Sequence, residues 1–222
     1  MRLWLETTLS PVLDAFSVWT IDMRAMASSD PPTQPSVHIS KVMHIDSAMF
    51  LNGMTALQPQ SHVTAGQSNQ LSTLLIADSL QGVVYHLNLQ ILSYSIILND
   101  SATMAPPPNA IPAIGADGLH YRLADGNLYY TNSLRERFNR VPIAITGNPP
   151  NVTAAGEYTT IASGMFGDDF ALGEDGAAYI AANLMNEVFK VTQKGEVSVV
   201  AGGLNGTTIA GDASEALGRT AG

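Results

Sequence analysis

Apolar and polar positions along this chain alternate with a step of two far more often than they recur every 3.6 residues. The alternating runs are short, rich in Val, Ile, Tyr and Thr, and bounded by Gly, Asn and Asp, which predicts strands and hence an all-β protein. The runs also repeat. "TLLIADSLQGVVYHLNL" (Thr73 to Leu89), "GNLYYTNSLRERFNRVPI" (Gly126 to Ile143) and "GAAYIAANLMNEVFKVT" (Gly176 to Thr192) each read as a strand ending in Asp78, Asn132 or Asn183, a tight connection and a second strand. A further strand follows each unit, "YSIIL", "YTTIA" and "VSVVA". Before each stands a short strand that opens on a polar residue and then a small one or a second acid: "NGMTAL" from Asn52, "DGLHYR" from Asp117 and "DDFALG" from Asp168. Four strands recurring about every 50 residues is the signature of β-propeller blades.

The first strand of a propeller blade lines the central channel, so Asn52, Asp117 and Asp168 are expected to project toward one axial cavity at the same rim. The competing reading is Asx capping of turns, since these side chains readily bond the backbone that follows them. Asp78, Asn132 and Asn183 are expected to cap their hairpins in this way. Asp169 is expected to cap a turn while Asp168 faces the axis, because adjacent strand residues point to opposite sides. By the same rule His120 shares a face with Gly118 rather than with Asp117. Tyr130, Asn132 and Arg135 near a blade rim are candidate ligand contacts, Arg135 because its guanidinium offers a fixed fork of donors. His86, Arg140 and Lys190, one on each second strand, are expected on outer strands or tied to neighbouring blades.

These repeats divide the chain into residues 1–48, a partial first blade with a long loop containing "SSDPPTQP", and residues 49–222, three complete blades and a partial one opening near Asp212. A closed ring of six blades at this spacing takes roughly 300 residues. The expectation is therefore a truncated ring: an incomplete sequence, a smaller or open ring, or strands supplied by a second chain. Unpaired blade edges invite association, so a homo-oligomer is one expected outcome.

Composition narrows the chemistry. With 222 residues, 45% hydrophobic and only 13% charged, the chain supports one sizeable core. A net charge of −9, with 10 Lys and Arg in all, argues against a nucleic-acid partner, which needs clustered cations. Without cysteine there is no disulfide framework, thiolate nucleophile or zinc–thiolate site. No apolar run reaches the roughly 18 residues of a membrane span. The amino end "MRLWLETTLSPVLDAF" breaks at Glu6 before a signal-peptide core forms, so a cytoplasmic location is expected. No Gly-x-Ser-x-Gly elbow, paired-glycine phosphate loop or His-rich metal motif is present, which removes serine hydrolase, nucleotide and zinc-protease readings.

The segments "IADSLQGVVYHL", "DGLHYRLADGNLYYTNS", "GDDFALGEDGAAYIA" and "ALGRT" resemble the senescence marker protein, gluconolactonase and luciferin-regenerating-enzyme family, in particular its divergent fungal branch, over about Asn52 to Gly222. The resemblance implies a six-bladed propeller whose axial pocket holds one divalent metal, usually calcium, on a Glu, Asn and Asp set serving lactone or ester hydrolysis. On that resemblance Asp168 matches the Asp ligand, Asp117 falls where an Asn ligand is usual, and Asn52 takes the place of the substrate-facing Asn. The family's ligand Glu lies in a "GEGP"-like segment that has no counterpart here, since Glu6 in "WLETTL" lacks both the glycines and the proline.

Two enzyme readings follow. One is a calcium-dependent lactonase or ester hydrolase, with Asp117 and Asp168 as metal ligands. The other, preferred, is an enzyme of fungal secondary metabolism without a metal cofactor. The divergent branch resembles hetero-Diels–Alderases of tropolone–sesquiterpene pathways, which join a polyketide-derived quinone methide to a terpene alkene. A channel that holds a hydrophobic diene and dienophile in near-attack geometry needs neither acid, base nor metal. In that reading Asn52, Asp117 and Asp168 are catalytic, and Tyr130, Asn132, Arg135 and Asp169 contact the substrate. A non-catalytic binding platform is the third possibility.

Overall fold

The computed structural model describes residues 2–6, 16–22, 37–57, 73–147, 149–214 and 216–218. The "SSDPPTQP" loop and the last residues of "ALGRT" lie outside them. The architecture is all-β, in four antiparallel sheets, with no α-helix among the described residues. The first sheet comprises β1 (Arg2–Glu6), β2 (Ser17–Asp22) and β3 (His38–His44). The second holds β4 (Leu51–Ala56), β5 (Thr73–Asp78), β6 (Val83–Asn88) and β7 (Ser93–Leu98) in sequential order. The third holds β8 (Ala116–Arg122), β9 (Asn127–Asn132), β10 (Arg137–Thr146), β11 (Asn151–Ala154) and β12 (Thr159–Ser163). The fourth holds β13 (Phe170–Leu172), β14 (Ala178–Ala182), β15 (Glu187–Val191) and β16 (Val197–Gly202).

Strand β11 has no counterpart in the expected pattern. Strand β10 is ten residues long, and its first half pairs with β12 while its second half, Ile143–Thr146, pairs with Asn151–Ala154 of β11. The turn between them opens at Gly147, whose φ of +78° suits glycine. Val152 on β11 then joins Ile143 in the core, so the extra hairpin extends a hydrophobic seam.

Alternation along the strands decides which sheet packs on which. Leu74, Ile76, Tyr85 and Leu87 face the first sheet and bury Val18 and Ile45. Their neighbours Leu75, Ala77 and Val84 face the opposite way and pack on Leu119, Leu128, Tyr130 and Val141. The far face of the third sheet presents Tyr129 and Phe138 to Phe170, Ile180 and Phe189 of the fourth. Phe138 stacks on Tyr129 with centroids 5.8 Å apart and meets Phe170 edge-on at 5.0 Å. Strands buried on both faces, as β5 and β6 are throughout, follow from this face-to-face stacking of blades.

The second, third and fourth sheets carry the same two irregularities. Where the first strand meets the second, two residues oppose one: Asn52 and Gly53 face Ala77, and Asp117 and Gly118 face Thr131. In the fourth sheet Ala181 accepts from Asp168 N–H and donates to Asp169 O, so two residues again share one partner. Such bulges re-aim a side chain at a sheet edge. Where the third strand meets the fourth, a one-residue shift falls after Val84, Phe138 and Val188, always the second residue of the strand. Pairs of second and third strands have none. In the first sheet β1–β2 is regular and β2–β3 shifts after Val18, again the second residue. In this respect β1 to β3 are similar to the second, third and fourth strands of the other sheets.

Candidate functional site

The polar residue and small residue that open each first strand form one device. A Cβ on Gly53 would lie 2.3 Å from the Asp117 carbonyl, and one on Gly118 would lie 2.7 Å from the Asp168 carbonyl. Glycine at these positions lets the backbones of neighbouring first strands touch, and the bulge turns the preceding side chain toward its neighbour. Asn52, Asp117 and Asp168 are brought together by this repeated arrangement.

Asp117 sits at the centre, 5% exposed. Its Oδ1 accepts from Asn52 Nδ2 and, at 3.3 Å, from Ser79 Oγ, while Ser133 Oγ lies 2.5 Å from its Oδ2. Burial pushes the Asp117 carboxyl up to about 7, a rise reinforced by the charges of Asp168 and Asp169 and opposed by the two serine hydroxyls. Asp168 is half-buried, and burial together with Asp169 and Asp212 raises its carboxyl from the ordinary value, against the hydrogen bond that Asn183 Nδ2 donates to its Oδ2 at 3.3 Å. Its backbone carbonyl accepts from Thr131 Oγ and from Gly118 N–H.

Asp169 does not cap a turn. Its Oδ1 lies 3.1 Å from His120 Nε2, and it occupies the space that the missing Cβ of Gly118 leaves open. The His120 ring meets Phe170 edge-on at 4.8 Å. His120 is on Gly118's face of β8, as the alternation requires. It also lines a cavity of about 460 Å³ along β8 and β13, together with Arg122, Leu123, Ala171, Leu172 and Leu217.

Tyr130, Asn132 and Arg135 perform a different task. Tyr130 and Asn132 have no exposed surface, and the Tyr130 hydroxyl bonds Thr103 Oγ at 2.6 Å. Asn132 Nδ2 reaches the carbonyls of Thr103, Met104 and Ala105, and its Oδ1 caps the 3-10 turn Ser133–Arg135 by accepting from Arg135 N–H. Arg135 donates to the carbonyls of Ala105 and Pro106. All three staple the loop that leads into β8. Asp78 does the same for its own blade, accepting from Met49 and Phe50 N–H as well as capping its hairpin through Gln81 N–H. The place of Asp78 and Asn132 is taken in the fourth sheet by Ala182. Asn183 falls one residue later, in register with Ser79 and Ser133, and instead of the expected hairpin cap it donates to Asp168 Oδ2, as Ser133 bonds Asp117. The expected caps at Asp78 and Asn132 are thus half of a larger role.

Ser79, Ser133 and His120 were missed as site residues by reasoning from the sequence. The serines had a signal, since each directly follows the Asx that ends a second strand, in "ADSL" and "TNSL".

The family resemblance implies calcium on Asp117 and Asp168, and this donor set does not fit it. Both Asp117 oxygens are already hydrogen-bonded inside the protein, Oδ1 to Asn52 and Ser79 and Oδ2 to Ser133. A calcium site needs six to eight oxygens with open lone pairs. Among the described residues no group of three or more His, Asp or Glu side chains is placed to hold a metal ion.

A stack of four-stranded antiparallel blades with first strands meeting on an axis defines a β-propeller. Comparison with solved structures agrees. The chain is similar to one in a nidogen–laminin complex, with a TM-score of 0.58, 8% identity, and coverage of 90% of this chain and 61% of that one. It is also similar to a structural-genomics protein of unknown function from Bacteroides thetaiotaomicron VPI-5482, with a TM-score of 0.51, 12% identity and coverage of 85% and 41%. A luciferin-regenerating enzyme matches with a TM-score of 0.46, 14% identity and coverage of 88% and 60%. The chain therefore spans between 41% and 61% of the length of these structures, and at such identities the likeness speaks for the fold. No protein-family model matches the chain, and neither does any curated protein. No helix among the described residues is long and apolar enough to cross a membrane.

Proposed function

We propose that the protein is a propeller enzyme of fungal secondary metabolism that carries out a cyclisation or cycloaddition of hetero-Diels–Alder type in its axial cavity, without a metal. The observation that carries this reading is the setting of Asp117, a buried carboxyl with both oxygens hydrogen-bonded, to Asn52, Ser79 and Ser133, and pushed up by burial to about 7. Such a group organises a weakly polar, low-dielectric site. Its role is to position: Asp117 anchors the Asn52 amide, whose remaining N–H is free to approach a ligand oxygen. Asp168 is half-buried beside it, its carboxyl raised from the ordinary value by burial and by the charges of Asp169 and Asp212.

In the reaction, a quinone methide provides the oxygen-bearing diene and a terpene alkene the dienophile. One C–O and one C–C bond form as three π bonds become one, and no atom is lost. Holding both partners in near-attack geometry is worth about 7–11 kcal/mol in favourable cases. A hydrogen bond from the Asn52 amide to the oxygen that gains electron density adds to that.

The test is to supply chelator-treated protein with an ortho-quinone methide released in solution and an electron-rich alkene, and to measure rate and enantiomeric excess of the adduct. Accelerated, enantioselective product formation that calcium does not change supports the reading, and Asp168→Asn should reduce it at least tenfold. Racemic product at the uncatalysed rate sinks it. Calcium-dependent opening of a γ-lactone by the same protein would put the hydrolase reading in its place.

A further inference from the structure

The cavity along β8 and β13 is lined by the apolar residues Leu123, Ala171, Leu172, Ala216 and Leu217, by Tyr121, and by His120, whose imidazole has one ring nitrogen left to bond a ligand. Arg122 also borders it, but its guanidinium is spent on Asp125 Oδ2 and the Glu174 carbonyl, both at 2.9 Å. His120 is fixed on two sides. Asp169 Oδ1 lies 3.1 Å from Nε2, and the Phe170 ring braces the imidazole edge-on at 4.8 Å. A carboxylate beside Nε2 selects the tautomer with the proton on Nε2, which leaves Nδ1 as an acceptor. No described residue bonds Nδ1.

An acceptor set in an apolar wall selects for a ligand that donates. The surroundings also select against charge: the Asp169 carboxyl group stands beside the imidazole, and the chain carries a net charge of −9. An anion is repelled, and a cation would find the neighbouring walls of Leu and Ala unable to replace its water. A volume of about 460 Å³ lies within the usual range for small-molecule sites.

We infer that this cavity is a subsite for a neutral, flat, apolar molecule bearing a hydroxyl group, of the phenol class, whose O–H donates to His120 Nδ1 while Asp169 holds the imidazole in place. The inference rests on the reading of the axial region as a small-molecule site, and it names the chemistry of that molecule. Gly118 belongs to the device, because the Asp169 carboxylate occupies the space that a side chain at 118 would fill, with Oδ1 2.7 Å from the position of a Cβ there.

The probe is 2-naphthol, titrated into the full chain at pH 7 and followed by its fluorescence, with 2-methoxynaphthalene as the same shape lacking the donor. Saturable one-site binding of 2-naphthol, at least tenfold tighter than that of 2-methoxynaphthalene, is expected. His120→Phe preserves the ring against Phe170 and should weaken 2-naphthol at least tenfold while leaving 2-methoxynaphthalene unchanged; Asp169→Asn should weaken it less. Equal binding of the two probes, or no saturable binding by the wild-type chain, overturns the inference even if the variants fail to fold. Undiminished 2-naphthol binding by a folded His120→Phe protein overturns it as well. Probe binding without cycloaddition would refute only the proposed reaction, and cycloaddition without probe binding only the subsite.

Discussion

Ser133 Oγ lies 2.5 Å from Asp117 Oδ2 and 2.8 Å from the carbonyl oxygen of Gly167. A hydroxyl has one proton, and both neighbours are acceptors if Asp117 is ionised. The conflict disappears when Asp117 carries a proton: Oδ2–H then donates to Ser133, Ser133 donates to Gly167, and Oδ1 remains to accept from Asn52 and Ser79. Hydrogen-bond counting thus reaches the same neutral carboxyl that burial predicts, by an independent route.

That neutral state ties stability to pH. The Asp117 carboxyl is raised from 3.8 in the unfolded chain to about 7 in the folded one. Below pH 3.8 both states are protonated and nothing is lost. Between those values the unfolded chain ionises while the native one does not, so the native state loses stability as pH rises, fully by about pH 7. Asp117→Asn keeps the shape and removes the ionisation. It should match the wild type near pH 4 and exceed it at pH 8 by roughly 2–4 kcal/mol in urea unfolding. A variant destabilised equally at both pH values would show that Asp117 is not held neutral.

The contact between first strands depends on glycine. A methyl group at residue 118 would lie 2.7 Å from the Asp168 carbonyl, the Asp169 Cα and the Asp169 Oδ1, two of them backbone atoms that cannot swing away. Gly118→Ala is expected to cost about 2–4 kcal/mol. Gly203→Ala, where a Cβ meets nothing within 4 Å, is the control and should change stability by less than about 0.5 kcal/mol. Similar denaturation midpoints for the two variants would contradict the close approach.

Periodicity carried most of the fold because blade stacking enforces it: strands such as Thr73–Asp78 and Val83–Asn88 bury both faces, and tight turns mark their ends. The polar residues at 52, 117 and 168 were legible because the repeat aligned them. What each carboxylate bonds was not, since that depends on the bulges, which shift register by one residue and leave no mark in the alternation. Asp169 illustrates this. Simple alternation assigned it a turn, but the two-against-one pairing with Ala181 turns it toward His120, which lies 49 residues away in sequence. Strand β11 was hidden for a related reason, because "NVTA" is too short to show a period.

Asn132 should prove more important to the loop Ser101–Pro107 than to any ligand. Its Nδ2 is shared among the backbone carbonyls of Thr103, Met104 and Ala105. Asn132→Ala is expected to cost about 2–3 kcal/mol, combining a lost cap with the loss of the Thr103 carbonyl's donor, since Met104 O and Ala105 O keep Ala116 N–H and Arg135 Nε. Hydrogen exchange should rise in residues 101–107 first, with the strands of the fourth sheet unaffected. Uniform acceleration across all blades would refute a local staple.

Acid should weaken the interface between the second and third sheets through His86. Its ring is 7% exposed, and Nε2 is buried without a hydrogen-bond partner. Burial lowers its pKa from 6.5, so the unfolded chain takes up a proton that the native one resists. Above pH 6.5 both states are neutral and the full stability is present; below it, stability falls by up to about 1.4 kcal/mol per pH unit until the folded-state value is reached. His86→Leu removes the titration and fills nearly the same volume. Its thermal midpoint should lie close to the wild type's at pH 7.5 and above it at pH 5. If the two proteins lose stability in parallel between those values, the acid sensitivity has another source and His86 is neutralised by a partner.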